Sequence, residues 1–436
     1  MLDMVWWLIL VIFFSSLLIV FLTGTPIAFS FLLLDIIAMF LIMGPSFAGS
    51  FVGSILDSLT RFTLVAVPLF VLMGEVLFQS GLAMKALDVL EKWLGKLPGR
   101  LSLLSIVSGA LFASLSGSVM ANTAMLGSLL TPEMRKKKYH KSMIVGPIVA
   151  SGSLAMMIPP SSLTVIFGSL ASVSVGDLLI AGILPGLLMA ALYISYVIIA
   201  CKLNPNLAPM DEVGEFNLKD TIKETIRDVL PLAIIVFLTV GVIFFGVATP
   251  TEAASLGAFG SVILAYLLGN FNLEVIKKSV SGAVKVTAMV LIIVAASNAF
   301  SQVLAFTGST RHLTNAVINM PFEPFWILVG MLAVIFLLGM FIEQVAIMMI
   351  TIPVFMPIIK VLGFDPVWFG ILMLMMLQIA LLTPPVGLLL YTIKGVTPDD
   401  ITMQDIWYAA TPYVFCGLFA IGIVLFFPKI ATILII

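Results

Sequence analysis

Long apolar runs, interrupted by glycine, proline and short polar clusters, fill most of this chain. Val5–Phe21 and Ile27–Met43 are each long enough to cross a bilayer core as a helix, with Gly24-Thr25-Pro26 turning the chain between them. Gly44-Pro45 opens a loop with an amphipathic piece around Asp57 and Arg61, and Thr63–Phe78 predicts a third span. From Gly81 to Arg100 apolar residues recur at helical spacing while Lys85, Asp88, Glu91 and Lys92 share the other face, the pattern of a helix lying in the membrane interface. Leu101–Ala113 and Val119–Leu130 are apolar arms too short to span, flanking the small polar stretch Ser114–Ser118; they predict a re-entrant hairpin. Met143–Met157 and Leu163–Val173 read as one span broken at Ile158-Pro159-Pro160, and Leu178–Ala200 as a full span. Lys202–Asp228 is the only long polar segment, a linker ending in an interfacial helix.

The pattern then repeats. Thr249-Pro250 matches Thr25-Pro26, Gly308 matches Gly81, Pro357 matches Pro132, and Pro384-Pro385 matches Pro159-Pro160, all at an offset of 224–227. The expected division is therefore 1–215 and 216–436. The first half carries scaffold spans over 5–78, an arm helix at 81–100, a hairpin at 101–131, a broken span at 142–173 and a span at 178–200. The second carries scaffold spans over 231–306, an arm at 307–325, a hairpin at 326–360 with its tip near Gly339–Gln344, a broken span at 369–393 and a span at 407–428. Each half has five crossings, an odd number, so the second half must be inverted relative to the first. If the first hairpin opens inward, 17 Lys and Arg residues lie inside and 4 outside, a strong positive-inside bias. The expected fold is an all-α polytopic membrane protein of two inverted-topology repeats, each with a re-entrant hairpin and a broken helix.

Composition agrees. The chain is 61% apolar and 10% charged, against roughly a quarter charged in soluble proteins. Val5–Phe21 lacks a basic leader region and a small-residue cleavage site, so it reads as a retained span. Cys201 and Cys416 lie in separate apolar runs and suggest no disulfide framework. His140 and His312 are isolated and make no metal site, and no phosphate loop, dinucleotide fingerprint or nucleophile–base pair is present. Nothing points to an enzyme, and nothing to nucleic acid.

Polar backbone at membrane depth needs partners, and ions or anionic solutes supply them. Oxygen ligands without thiol or imidazole suit an alkali cation. The cation candidates are Ser114, Gly117, Asn122, Ser151, Gly152, Pro159, Gly339, Glu343, Gln378, Thr383, Pro384 and Gly387. The solute candidates are Ser116, Ser118, Asn122, Thr123, Ser153, Ser161, Ser162 and Gln344, with Pro160 in the same break. Small residues here also suit close helix packing, and Glu343 also suits a fold-fixing bond to a backbone donor. Asp35 and Glu75 fall in scaffold spans, where a structural role is favoured; Ser297, Asn298 and Ser301 are weaker cavity candidates.

The segments SLSGSVMANTAMLGSLLTPEM, SGSLAMMIPPSS, GVATPTEAASLGAFG and LLTPPVG resemble the large membrane subunit of TRAP (tripartite ATP-independent periplasmic) transporters, over essentially the whole chain. The resemblance implies an elevator-type fold and sodium-coupled uptake of an organic acid in the bacterial inner membrane. It also implies two partners, a periplasmic solute-binding protein and a small four-span membrane subunit. Related divalent anion–sodium symporters carry Ser-Asn-Thr at each hairpin tip. Ala121-Asn122-Thr123 is similar, whereas Phe341-Ile342-Glu343-Gln344 stands at the second tip and leaves backbone carbonyls near Thr383-Pro384-Pro385 as ligands there. The alternative is a stand-alone sodium- or proton-coupled anion symporter using Glu343 as relay. Sialic acid, four-carbon dicarboxylates, keto acids and compatible solutes all remain open.

Overall fold

A computed structural model describes residues 6–95, 97–116, 118–209, 217–268 and 271–435, with the side chains of 22 and 113–116 set aside. Helices account for the regular structure of the described residues. In the first half these are α1 Trp6–Leu22, α2 Ile27–Ala38, α3 Ala48–Leu59, α4 Ala66–Gln79, α5 Leu82–Leu94, α6 Arg100–Ser116, α7 Val119–Lys136, α8 Lys141–Ser153, α9 Ser162–Ala171, α10 Val175–Ala181 and α11 Ile183–Leu203. The second half holds α12 Leu218–Glu224, α13 Leu230–Phe244, α14 Pro250–Leu267, α15 Leu273–Phe306, α16 Ser309–Ile318, α17 Pro324–Gly339, α18 Gln344–Val361, α19 Pro366–Ala380, α20 Leu388–Lys394, α21 Met403–Phe426 and α22 Lys429–Thr432. Among the described residues six helices are long and apolar enough to cross a membrane alone, or up to seven spans if Ile27–Met43 and Pro45–Leu59, bent by 120°, count as one.

The order of elements repeats. Gly81 and Gly308 are left-handed residues (φ 72° and 68°) that start α5 and α16, and both double prolines are joined by cis peptide bonds. Hairpin α6–α7 corresponds to α17–α18, and the broken pair α8, α9 to α19, α20. The halves differ where α15 runs unbroken for 34 residues while the first half has two separate helices, α3 and α4.

Contacts between loops test the sidedness. Arg135 and Lys141 meet Asp400 and Asp405, and Lys92 meets Glu224, all expected inside. Arg61 donates to the Ser169 carbonyl, Thr251 to the Phe62 carbonyl, and the indole of Trp368 to the Val424 carbonyl, all expected outside. The loop after the first hairpin thus pairs with inner loops and the start of α19 with an outer end. That is the arrangement of inverted repeats.

Three details differ from the sequence expectation. The first hairpin's arms are 17 and 18 residues long, because α6 continues through Ser116 and α7 through Pro132 to Lys136. At ~1.5 Å per residue that is about 27 Å for α7, so its basic end reaches the inner surface. The amphipathic linker piece is not a separate interfacial helix: α12 runs through a π turn, Thr225–Val229, into α13. The loop expected after Gly44-Pro45 is largely helical, as α3.

Two helices form the centre. Every residue of α8 from Met143 to Ser153 is buried, as is every residue of α19 from Trp368 to Ala380. A helix apolar all round belongs in a core. Around them, exposed side chains such as Ile19, Phe237, Phe259 and Tyr266 form the lipid-facing exterior. α21 packs on α8 and α10 on α19, so the closing segment of each half covers the central helix of the other.

Candidate ion and solute site

At the first hairpin tip Ser118 has extended backbone, and its hydroxyl accepts from the Ala121 amide at 3.3 Å, capping α7. One turn on, Asn122 is 1% exposed and its Nδ2 donates to the Gly109 carbonyl of α6 at 3.1 Å, tying the two arms together. Asn122 Oδ1 is buried and makes no hydrogen bond. The hydroxyl of Thr123 donates to the Val119 carbonyl at 3.0 Å and lies against Gly152 of α8, where any added Cβ would overlap it. Ser151 lies against Gly109 and donates to the Ile148 carbonyl at 2.8 Å. The structure therefore brings Asn122, Thr123, Ser151 and Gly152 to one place. The side chains of Ser114 and Ser116, and Gly117 altogether, lie outside the described residues.

The break after α8 is enclosed. Pro159, Pro160, Ser161 and Ser162 are buried; the Ser161 hydroxyl caps α9 by accepting from the Thr164 amide at 3.4 Å, and Thr164 Oγ1 donates to the Met156 carbonyl at 3.2 Å. The second break is more open, with Thr383 and Pro384 half-buried and Pro385 exposed. Gly339 packs on Ala380, and the Gly387 amide donates to the Met340 carbonyl at 3.0 Å, joining tip to break. Gly387 has φ 50°, and a Cβ there would meet the carbonyl oxygens of Leu381 and Thr383 at 2.8 and 3.0 Å. A side chain there would also meet Leu390 Cδ1 at 2.8 Å, so only glycine fits against the two carbonyls. Thr383 Oγ1 is spent on the Ile379 carbonyl, and Gln344 is buried.

Glu343 sits at the second tip as the N-cap of α18; its Oε2 accepts from the amides of Val345 and Ala346 at 3.0 and 3.4 Å. A carboxylate satisfies the free amides of a helix start and complements its dipole.

The halves meet at a pair of candidates. Gln378 Nε2 donates to the Ser153 hydroxyl at 3.1 Å, both residues being fully buried. Their numbers differ by 225, the offset of the double prolines, so each faces its own counterpart. The Tyr193 hydroxyl lies beside this pair, and its ring meets that of Tyr413, whose buried hydroxyl has no partner, edge-on at 5.3 Å. Repeat arithmetic on the sequence would have picked out the Ser153–Gln378 pair. The Gly109 carbonyl carried no signal, being backbone.

The donor set fits an alkali cation. An orphaned buried amide oxygen costs roughly 1–3 kcal/mol, and a cation at Asn122 Oδ1 would relieve it. The Leu381 and Thr383 carbonyls form a neighbouring uncharged pair in the second break, which the Gly387 amide joins to the second tip. Elsewhere, Asp35 on α2 is fully buried with both carboxyl oxygens unpartnered, and Glu75 and Gln79 of α4 line a cavity with Ser118 and Asn122.

Comparison with known proteins gives a consistent answer. The profile of the tripartite ATP-independent periplasmic transporter DctM component matches residues 14–430. The chain is 30% identical to the C4-dicarboxylate TRAP transporter large permease protein DctM of Pseudomonas aeruginosa, covering 90% of each protein. It is also 30% identical to the sialic acid TRAP transporter large permease protein SiaM of Vibrio cholerae, over 94% of this chain and 95% of that one. In fold it is similar to the crystal structure of the YdaH transporter of Alcanivorax borkumensis, described as having an unusual topology, with a TM-score of 0.67, 15% identity and 89% of each chain covered.

Proposed function

We propose that this chain, which belongs to the DctM family of tripartite ATP-independent periplasmic transporters, is the large permease of a secondary transporter that imports an organic acid with sodium. A periplasmic binding protein delivers the solute, and a small four-span subunit completes the complex in the bacterial inner membrane. The observation that carries this reading is the gathering of uncharged oxygen acceptors at both hairpin tips. Asn122 Oδ1 stands at the first, and the Leu381 and Thr383 carbonyls lie in the break joined to the second. Sodium ligated there adds positive charge at the tips and lets a carboxylate settle beside Ser118 at the start of α7. The two hairpins and broken helices move together as an elevator against α1–α4 and α13–α15. The capping bonds of Glu343 support a structural duty over the relay. The test is uptake into liposomes holding the full complex, with the binding protein outside and an imposed gradient. Accumulation that follows sodium supports the reading; accumulation that ignores sodium and follows protons overturns it.

A further inference from the structure

We infer that Glu75 selects the solute, admitting a monocarboxylate whose other end carries a hydrogen-bond donor (hydroxyl, ammonium or amidinium) and rejecting dicarboxylates. This rests on reading the first hairpin tip as the solute site. Glu75 and Gln79, in the last turns of α4, face Ser118, Ala121 and Asn122 across a cavity of about 80 Å³. That volume takes one end of a solute and a few waters. Glu75 is the one charged side chain among the described residues that line it. Its Oε2 accepts from Gln79 Nε2 at 3.2 Å. Behind it Gly282 of α15 leaves room for the carboxylate: a Cβ there would lie 2.7 Å from Cδ. The opposite wall carries the unpartnered, buried Oδ1 of Asn122.

The chemistry follows from that asymmetry. The start of α7 presents its first backbone amides and the positive end of its dipole, which suit a carboxylate. The α4 wall offers only a negative charge and an amide. A second solute carboxylate would face Glu75 with no lysine, arginine or histidine among the described lining residues to compensate, where low dielectric magnifies repulsion. A hydroxyl or cationic nitrogen instead gains a charge-assisted hydrogen bond. The sequence placed Glu75 in a scaffold span; here the scaffold wall reads the far end of the cargo.

Two measurements test this. The first replaces Ala121, exposed at the cavity wall, with cysteine in a Cys201→Ser, Cys416→Ser background. Solubilised full-length protein is treated with methanethiosulfonate reagents bearing trimethylammonium or sulfonate. The cationic reagent is expected to react faster. Glu75→Gln should lower the ratio of rates about tenfold, and Glu75→Asp should preserve it. An unchanged ratio in Glu75→Gln overturns the charge assignment. The second follows sodium-dependent exchange of N-acetylneuraminate, ectoine and succinate by the reconstituted complex. Exchange of either donor-bearing monocarboxylate over succinate, narrowed about tenfold by Glu75→Gln, supports the proposal. Succinate handled as well by the unaltered protein, or a preference that Glu75→Gln leaves intact, overturns the solute class while the transport reading stands. No sodium-dependent exchange of any of the three overturns the solute class, while the gradient test judges the transport reading and the cysteine ratio still reports on Glu75.

Discussion

Asn122 uses one end of its amide to hold α6 to α7 and leaves the other end without a protein partner. Removing it therefore acts twice. Asn122→Ala removes the buried hydrogen bond that ties α7 to the Gly109 carbonyl of α6, a cost of about 0.5–1.5 kcal/mol, and removes a ligand from the proposed ion site. The expected result is a lower melting temperature in detergent and a sodium activation curve displaced to higher concentration by tenfold or more. A shifted melting temperature with an unchanged sodium curve would assign Asn122 to structure alone. The site residues were legible in the sequence as a set of small polar types near paired prolines, because polar backbone at membrane depth is rare. Which atoms were already spent was not legible. Glu343 is taken up by capping and Thr383 by its own helix, and those are matters of rotamer and distance.

At the scale of elements, close approach is the governing constraint. α7 and α8 meet where Thr123 fills the space left by Gly152. Gly152→Ala should destabilise the protein by about 1–3 kcal/mol through overpacking, and Thr123→Ala in the same chain should recover part of the loss, read as melting temperature. The arm α5 is tied down by Lys92 to Glu224, by Trp93 to Thr225, and by Glu91 to Arg100, at the inner surface. Within that cluster burial, opposed in part by Lys92 and aided by Glu133, Asp228 and Glu224, raises the Asp88 carboxyl above its usual value. A carboxyl raised on folding penalises the native state above its folded pKa, and the penalty vanishes below its unfolded value of 3.8. Asp88→Asn should therefore stabilise the protein at pH 7, with the gain fading as pH falls toward 4. A gain that persists at low pH would trace it to packing instead. The sequence marked the arm by its amphipathic spacing, but not the continuous α12–α13 helix it rests on, since a π turn has no propensity signature.

For the whole molecule, the repeat and its inversion were readable before any coordinates, from proline spacing, span parity and the basic-residue bias. The reason is physical: a bilayer forces every segment to declare its length and its side. What the chain could not declare was the symmetry of contact between halves. The sidedness has a direct check. A cysteine at exposed Phe322, beyond α16, should react with a membrane-impermeant reagent in intact cells, whereas one at exposed Lys202, at the end of α11, should react only after permeabilisation. The opposite pattern would invert the topology. The Ser153–Gln378 contact carries one more consequence. Two residues related by duplication that touch each other stand on the rotation that exchanges the copies, so the roles of donor and acceptor there are interchangeable. Writing glutamine at the earlier position and serine at the later one should cost less than either change alone, as a lock still closes when its two sides trade places.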